Sequence, residues 1–396
     1  MCLSKKFFVS LSFILSCSYV SAEDLGASDV KVYGAGADND KTIWDNMAIS
    51  SWAHTPEPYH DPVVYGRAEI FLNNIDGYTY YDGYTQYDIG DSSQYEVNSF
   101  STRFGVRGKI PTDFEDINIT YKFELGIGVG ANTPNKTDDG LVNNAVRSRN
   151  QIVGIKTAAG ELFAGRHDTA LKKTMKSALL KLTTDLFHNY IGADYSYSFM
   201  GKNRMNNTLG YKSPTVRGMQ YFVTFSPKGS KNNLGDQQNS SGISQTVSYA
   251  CRECRLYTAI GTDRDVMSRD IDRLLVQYLV GAFSVTGITQ NSNATVGDTS
   301  KQRAHLFNMS YTKKKLIYKA QFSQSTELAN QLIFDNDTLK THATKSFQTT
   351  VGIDFALSDR VNFSSYLSQR SYTYKDGYIG EKEKDRVLGT GIWYKF

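Results

Sequence analysis

Five arginines set the chemistry open to this chain. Arg67, Arg103, Arg107, Arg149 and Arg166 all stand in segments where polar and apolar residues alternate. Alternate side chains of a β-strand share a face. On that pattern Arg67, Arg103, Arg107 and Arg149 fall on the polar face, and Arg166 falls opposite Phe163 and Gly165. A guanidinium stays charged at any relevant pH, so such a set makes a fixed ladder of positive charge, not a proton-transfer centre. The competing reading is that some of these arginines only pair with turn carboxylates at the rim of a sheet.

Other chemistry finds little support. The six histidines are scattered without metal-ligand spacing, and Gly126, Gly128 and Gly130 lie in a strand rather than a nucleotide loop. There is no Gly-x-Ser-x-Gly, no P-loop and no zinc motif, so no enzyme, cofactor or metal is expected. Cys251 and Cys254 flank a tight turn, where they form either a small disulfide or two idle thiols.

The elements that position the arginines are strands. Period-two alternation broken by polar turns predicts them at Val63–Leu72, Ser99–Lys109, Ile117–Val129, Arg149–Thr157, Glu161–Asp168, Asn207–Ser213, Arg217–Ser226 and Ile243–Ala250. It continues at Arg255–Asp263, Ile271–Val280, Phe283–Asn291, Gln302–Thr312, Leu316–Ser325, Ser346–Ala356, Val361–Tyr372 and Val387–Phe396. Short turns alternate with long polar loops. The last strand ends the chain on an apolar face of Leu388, Thr390, Ile392, Tyr394 and Phe396. Such a face fits lipid, and the whole pattern predicts an all-β transmembrane antiparallel barrel of about 16 strands.

The rest of the chain agrees. Lys5 and Lys6 precede an apolar run Phe7–Leu15 and then Val20-Ser21-Ala22, the form of a cleavable secretory signal over residues 1–22. Lipidation at Cys17 is the rival reading, disfavoured by the large Leu15. Forty-four basic residues against forty acidic give a net +4, too balanced to attract nucleic acid. The mean hydropathy of −0.42 suits a barrel in which only alternate residues meet lipid. One segment stands apart: Thr169–Asn206 is a long connection with a helix-like piece, Ala170–Leu182. Loops of that length are usually functional.

Several stretches resemble the general porins of Gram-negative outer membranes. Arg149-Asn150-Gln151-Ile152-Val153-Gly154-Ile155-Lys156 and Gly165-Arg166-His167-Asp168-Thr169-Ala170-Leu171-Lys172 are similar to the approach to that family's third loop. Asp185-Leu186-Phe187, Gly201-Lys202-Asn203-Arg204-Met205-Asn206-Asn207 and Tyr211-Lys212-Ser213-Pro214 resemble the end of the loop and the next strand. Tyr65-Gly66-Arg67, Arg103-Phe104-Gly105-Val106-Arg107-Gly108 and the terminal Phe396 resemble the first, second and last strands.

The resemblance implies a homotrimer of sixteen-stranded barrels in the outer membrane, amid lipopolysaccharide. It implies a water-filled channel for small hydrophilic solutes and ions, narrowed by an inward-folded third loop. It further implies that Ile392, Tyr394 and Phe396 are read by the barrel-assembly machinery. In the family, loop carboxylates face a basic ladder, and Asp185 and Asp194 are the candidates here. The loop carries Lys172, Lys173, Lys176, Lys181, Lys202 and Arg204 against those two aspartates, so a modest anion preference is expected. Alternatively, the lysines of Ala170–Leu182 face solvent or the trimer axis. A sugar- or phosphate-specific channel of the same fold is the nearest other function, ahead of a barrel enzyme or adhesin. The chain departs from the family at residues 23–62, which precede the barrel domain 63–396 and hold Trp44 and Trp52. A flexible extension, a plug, a partner-binding arm or an added strand all fit that segment.

Overall fold

The computed structural model describes residues 62–396, apart from 77–78, 82–85, 89–93, 100, 115, 129–133, 138–139, 144–145, 178–181, 184–185, 188–198, 233–235, 296–300, 327–331, 336–337 and 375–381. The leader 1–22, and the extension 23–62 up to residue 61, lie outside the described residues.

Sixteen antiparallel strands close into a barrel. They are β1 (Val63–Asp76), β2 (Arg103–Pro111), β3 (Asn118–Ile127), β4 (Val146–Thr157), β5 (Gly160–Asp168), β6 (Arg204–Lys212), β7 (Met219–Ser226) and β8 (Gly242–Cys251). The second half holds β9 (Leu256–Arg264), β10 (Arg269–Val280), β11 (Phe283–Ala294), β12 (Lys301–Lys313), β13 (Leu316–Thr326), β14 (Thr338–Ala356), β15 (Val361–Tyr374) and β16 (Lys382–Lys395). A short piece, Gln94–Asn98, extends the β2 wall along β1, and Leu332–Asp335 pairs with the tip of β14. Each predicted strand coincides with one of these, to within a few residues at most ends.

Closure explains why such a polar chain can enter lipid. Every backbone group in a bilayer needs an internal partner, and a closed sheet has no edge. Here β1 pairs with β2 on one side and with β16 on the other, in register from Arg67 opposite Lys395 to Asp76 opposite Arg386. Beyond the last strand residue, Gly66 N–H donates to the Phe396 carbonyl at 2.9 Å. Gly66 is needed there, because a Cβ would overlap the Phe396 ring.

Alternation decides which side chain faces where. On β16, Leu388, Ile392 and Tyr394 are exposed on the outside, while Val387 and Trp393 are buried within. The inner faces of β11–β15 carry mainly hydroxyl and amide groups, among them Ser284, Thr286, Gln321, Ser323, Gln348 and Ser368. Connections alternate as well. Two-residue turns at 158–159, 281–282 and 314–315 close one end, and the long connections gather at the other. Lys314 takes a left-handed backbone with φ of 53°, as such tight hairpins require. Across the turn after β8, Cys251 and Cys254 are joined by a disulfide.

A basic wall facing an anchored loop

The long connection between β5 and β6 folds into the lumen, and wall hydroxyls receive its first turn. The helix α1 (Ala170–Lys173) starts with backbone N–H groups that its own turns cannot satisfy. Ala170 N–H donates to Thr224 Oγ1 of β7 at 3.2 Å, and Leu171 N–H to Ser244 Oγ of β8 at 2.8 Å. The helix then stops. Thr174 turns its hydroxyl back onto the Leu171 carbonyl, and Tyr257 of β9 donates to the Thr174 carbonyl at 2.9 Å. The expected helix over Ala170–Leu182 is therefore limited to four residues, and Lys176–Ser177 pairs with Leu182–Thr183 as a small hairpin. Contacts with the wall replace the later helical turns.

The far part of the loop is docked across the lumen. Leu186 and Phe187 are buried with Phe71 and Ile75 of β1, Tyr366 of β15, and Val387 and Trp393 of β16. Lys319 of β13 donates to the Leu186 carbonyl at 3.0 Å and stands 4.7 Å from the Phe187 ring centroid. Asp354 of β14 holds the same ammonium at 2.8 Å. On the return, Arg273 of β10 donates to the Met200 carbonyl at 2.5 Å and to Leu171 O at 3.3 Å. Burying an apolar side chain of this size is worth about 2 kcal/mol, so Leu186 and Phe187 fix the loop firmly.

A wall of cations runs from β1 to β6, adjoining this cluster at Trp393. Glu124 of β3 is its centre: Arg149 Nε lies 2.7 Å away, Lys122 Nζ 3.4 Å and Arg103 Nε 3.9 Å. Tyr65 donates to the same carboxylate at 3.0 Å, and Arg107 lies over the Tyr65 ring at 5.1 Å. Arg67 pairs with Glu69 at 2.6 Å and stacks on Trp393 at 4.7 Å. A second cluster sits at the base of the loop. Asp168 is met by Lys172 at 2.8 Å, Arg204 at 3.0 Å and Lys173 at 3.2 Å. Asn150 joins them, donating to Asp168 at 3.1 Å and accepting from Arg204 at 2.9 Å.

Four of the five expected arginines thus share this wall, but Arg149 arrives by a bulge. Phe123 pairs with Gln151 and Leu125 with Ser148, so Arg149 and Asn150 together oppose Glu124. The extra residue turns both side chains inward. Arg166 departs from expectation. It stands opposite Gln151, on the side of Leu162, Ala164 and Val153, and that side faces outward. Leu162 and Phe163 are both apolar, and the loop settles which one is buried: Phe163 packs with Ala170, Phe222 and Ile152 inside.

Arg204 lies in the loop-base cluster, and Lys202 is half-buried just before β6. Asp185 and Asp194 lie outside the described residues. The carboxylates that meet the cations are Glu69, Glu124 and Asp168, which sequence reasoning passed over as acids of the site. Glu124 was visible on the polar face of the most regular segment, and Asp168 immediately precedes the loop. Ile392, Tyr394 and Phe396 all lie on the outer face of the seam, the last two rings 5.8 Å apart. Among the described residues, no three His, Cys, Asp or Glu side chains converge as metal ligands.

The sequence profile of a Gram-negative porin family matches residues 47–377. No curated protein sequence matches the chain. Among solved structures, the anion-selective porin from Comamonas acidovorans is similar in fold, with 17% identity and a TM-score of 0.58 over 85% of this chain and 99% of that one. OmpF of Salmonella typhi, solved with daunomycin, gives 14% identity and 0.57 over 85% and 97%. The outer membrane channel DcaP of Acinetobacter baumannii gives 13% and 0.58 over the same shares.

Proposed function

The chain belongs to the Gram-negative porin family and forms an outer-membrane channel for passive diffusion of small hydrophilic solutes and ions, and we propose that this channel favours anions. The observation that carries the proposal is the charge balance of the wall facing the loop. Arg67, Arg103, Arg107, Lys122, Arg149 and Arg204 gather there, joined by Lys172 and Lys173 from the loop's own first turn, with Glu69, Glu124 and Asp168 as their described carboxylate partners. A surplus of fixed positive charge in a narrow passage raises the local concentration of anions. Screening extends over about 8 Å at physiological salt, so these groups act on an ion anywhere near the wall.

Family and fold indicate a channel rather than an enzyme. In this reading the arginines act through charge alone, with no covalent chemistry. One similar structure bears the description anion-selective. At 17% identity that likeness concerns fold, and the preference argued here rests on this chain's own residues.

The same reading takes the channel as a homotrimer, in keeping with a trimer form among the similar structures. It takes residues 1–22 as the export leader, residues 23–62 as an extension and 63–396 as the barrel. Ile392, Tyr394 and Phe396 are the feature offered to the assembly machinery, and lipopolysaccharide surrounds the outer rim. Reversal potentials across planar bilayers under a potassium chloride gradient test the selectivity. Chloride preference supports the proposal, and a potential favouring potassium overturns it.

A further inference from the structure

The turn between β8 and β9, residues 252–255, carries chemistry that ion passage leaves unused. It closes the short-turn end of the barrel, which faces the periplasm in proteins of this kind. The two sulfurs of its bridge are not equivalent. Cys254 is exposed, together with Arg252 and Glu253, whereas Cys251 at the end of β8 is only 8% exposed. The path of the backbone fixes what surrounds the hidden sulfur. Cys251 pairs with Leu256 across the hairpin, and Arg255 turns back in a left-handed conformation with φ of 53°. Its N–H donates to the Arg252 carbonyl at 3.1 Å. The turn thereby brings the Cys254 N–H to Cys251 Sγ at 2.9 Å and sets Glu253 Oε2 3.7 Å from the same sulfur.

A disulfide is opened by a thiolate that attacks one sulfur while the other leaves. That exchange needs a reachable sulfur, a leaving sulfur that tolerates negative charge, and a group that handles its proton. All three are present in this turn. Cys254 lies open to the periplasm. Attack on it sends the electron pair of the sulfur–sulfur bond to Cys251, where the donated N–H favours the thiolate. Glu253 stands where a carboxylate can take the Cys251 thiol proton when that sulfur attacks in its turn. Arg252 and Arg255 flank the exposed sulfur in sequence and outweigh the single Glu253, so the turn attracts an anionic attacker. A bridge that only stapled the hairpin would need neither the unequal exposure nor the carboxylate.

We propose that Cys254 and Cys251 form a thiol–disulfide exchange site at the periplasmic rim, with carboxylate-bearing low-molecular-weight thiols as its substrates. In the first step the substrate thiolate bonds to Cys254 Sγ, the bridge breaks, and Cys251 leaves as a thiolate that takes up a proton. A second substrate thiolate then attacks the substrate sulfur of the mixed disulfide and releases the Cys254 thiolate, which is protonated in turn. Two thiols become one disulfide, and two electrons and two protons pass to the protein. Reoxidation by another disulfide runs the same steps backwards: Glu253 accepts the Cys251 proton, and the Cys251 thiolate attacks Cys254 Sγ to restore the bridge. Cys254 is the entry sulfur and Cys251 the resolving one. The site goes beyond solute passage and is independent of ion selectivity.

The test uses the full-length oxidised protein, folded in detergent and incubated with reduced glutathione, then quenched with an alkylating agent and read by mass spectrometry. Glutathione is expected on Cys254 and the alkylating group on Cys251. With oxidised glutathione as the probe, C251S should capture glutathione at Cys254 about tenfold faster than C254S captures it at Cys251. E253Q should accumulate the mixed disulfide about fivefold over wild type, and E253D should restore part of its resolution. Heat-modifiable mobility checks that each variant is folded. A bridge that resists glutathione in the folded protein but yields in the unfolded one is purely structural and overturns the proposal. Capture at Cys251 as fast as at Cys254 overturns it too, as does E253Q resolving at the wild-type rate.

Discussion

The Lys319 ammonium lies 4.7 Å from the centroid of the Phe187 ring and 3.0 Å from the Leu186 carbonyl, so one cation from the wall holds both of these loop residues. The ring also fills the space that a side chain on Gly352 would take. Phe187→Ala removes a contact worth about 3–5 kcal/mol for a buried phenylalanine. The barrel itself keeps its hydrogen-bonded wall, so the loss falls on the loop. Larger and noisier single-channel currents are expected, with passage of larger solutes in liposome swelling and unchanged heat-modifiable mobility. Currents identical to wild type would contradict the anchoring role.

Glu124→Gln leaves Arg103, Lys122 and Arg149 around a neutral group. A unit charge at 4 Å in water is worth about 1 kcal/mol before screening, so the chloride-to-potassium permeability ratio should rise up to about fivefold. Reversal potentials read this directly, and a fall in the ratio would count against the electrostatic account.

The reciprocal change is R103Q/R149Q. With both guanidiniums gone, Glu124 keeps Lys122 and the Tyr65 hydroxyl as partners. The permeability ratio should move toward potassium by at least a similar factor, without change in heat-modifiable mobility on gels. A variant that stays as anion-preferring as wild type would place the filter elsewhere.

Gly66→Val tests the seam. The added methyls meet the Phe396 ring and the Arg103 carbonyl, where no space exists. Overpacking of this kind costs about 1–3 kcal/mol. Urea unfolding in lipid vesicles should show the loss, and truncation of the added bulk to Gly66→Ala should reduce it.

The barrel was readable because its signal repeats. One face of each strand meets lipid, so Ile119, Phe123 and Leu125 alternate with Thr120, Lys122 and Glu124 without interruption. Where a second constraint acts, the period misleads. Leu162 and Phe163 compete for the lipid face, and only the start of the inward loop at Ala170 decides between them, which is why alternation alone puts Arg166 on the wrong side. Arg149 faces inward through a bulge that no alternation contains. The helix over Ala170–Leu182 has adequate local propensity, but Tyr257, remote in sequence, takes up the Thr174 carbonyl after one turn. Counting charges inside the loop alone missed Asp168, although it stands one residue before Thr169.

Asp168 serves two clients at once. It offsets part of the positive charge that an ion meets, and with Asn150 and Arg204 it ties down the base of the inward loop. Bore and charge preference are therefore not separable traits in this protein. A lineage that altered Asp168 to change which ions pass would also loosen the element that sets how large a solute fits, and selection on either trait must act on both.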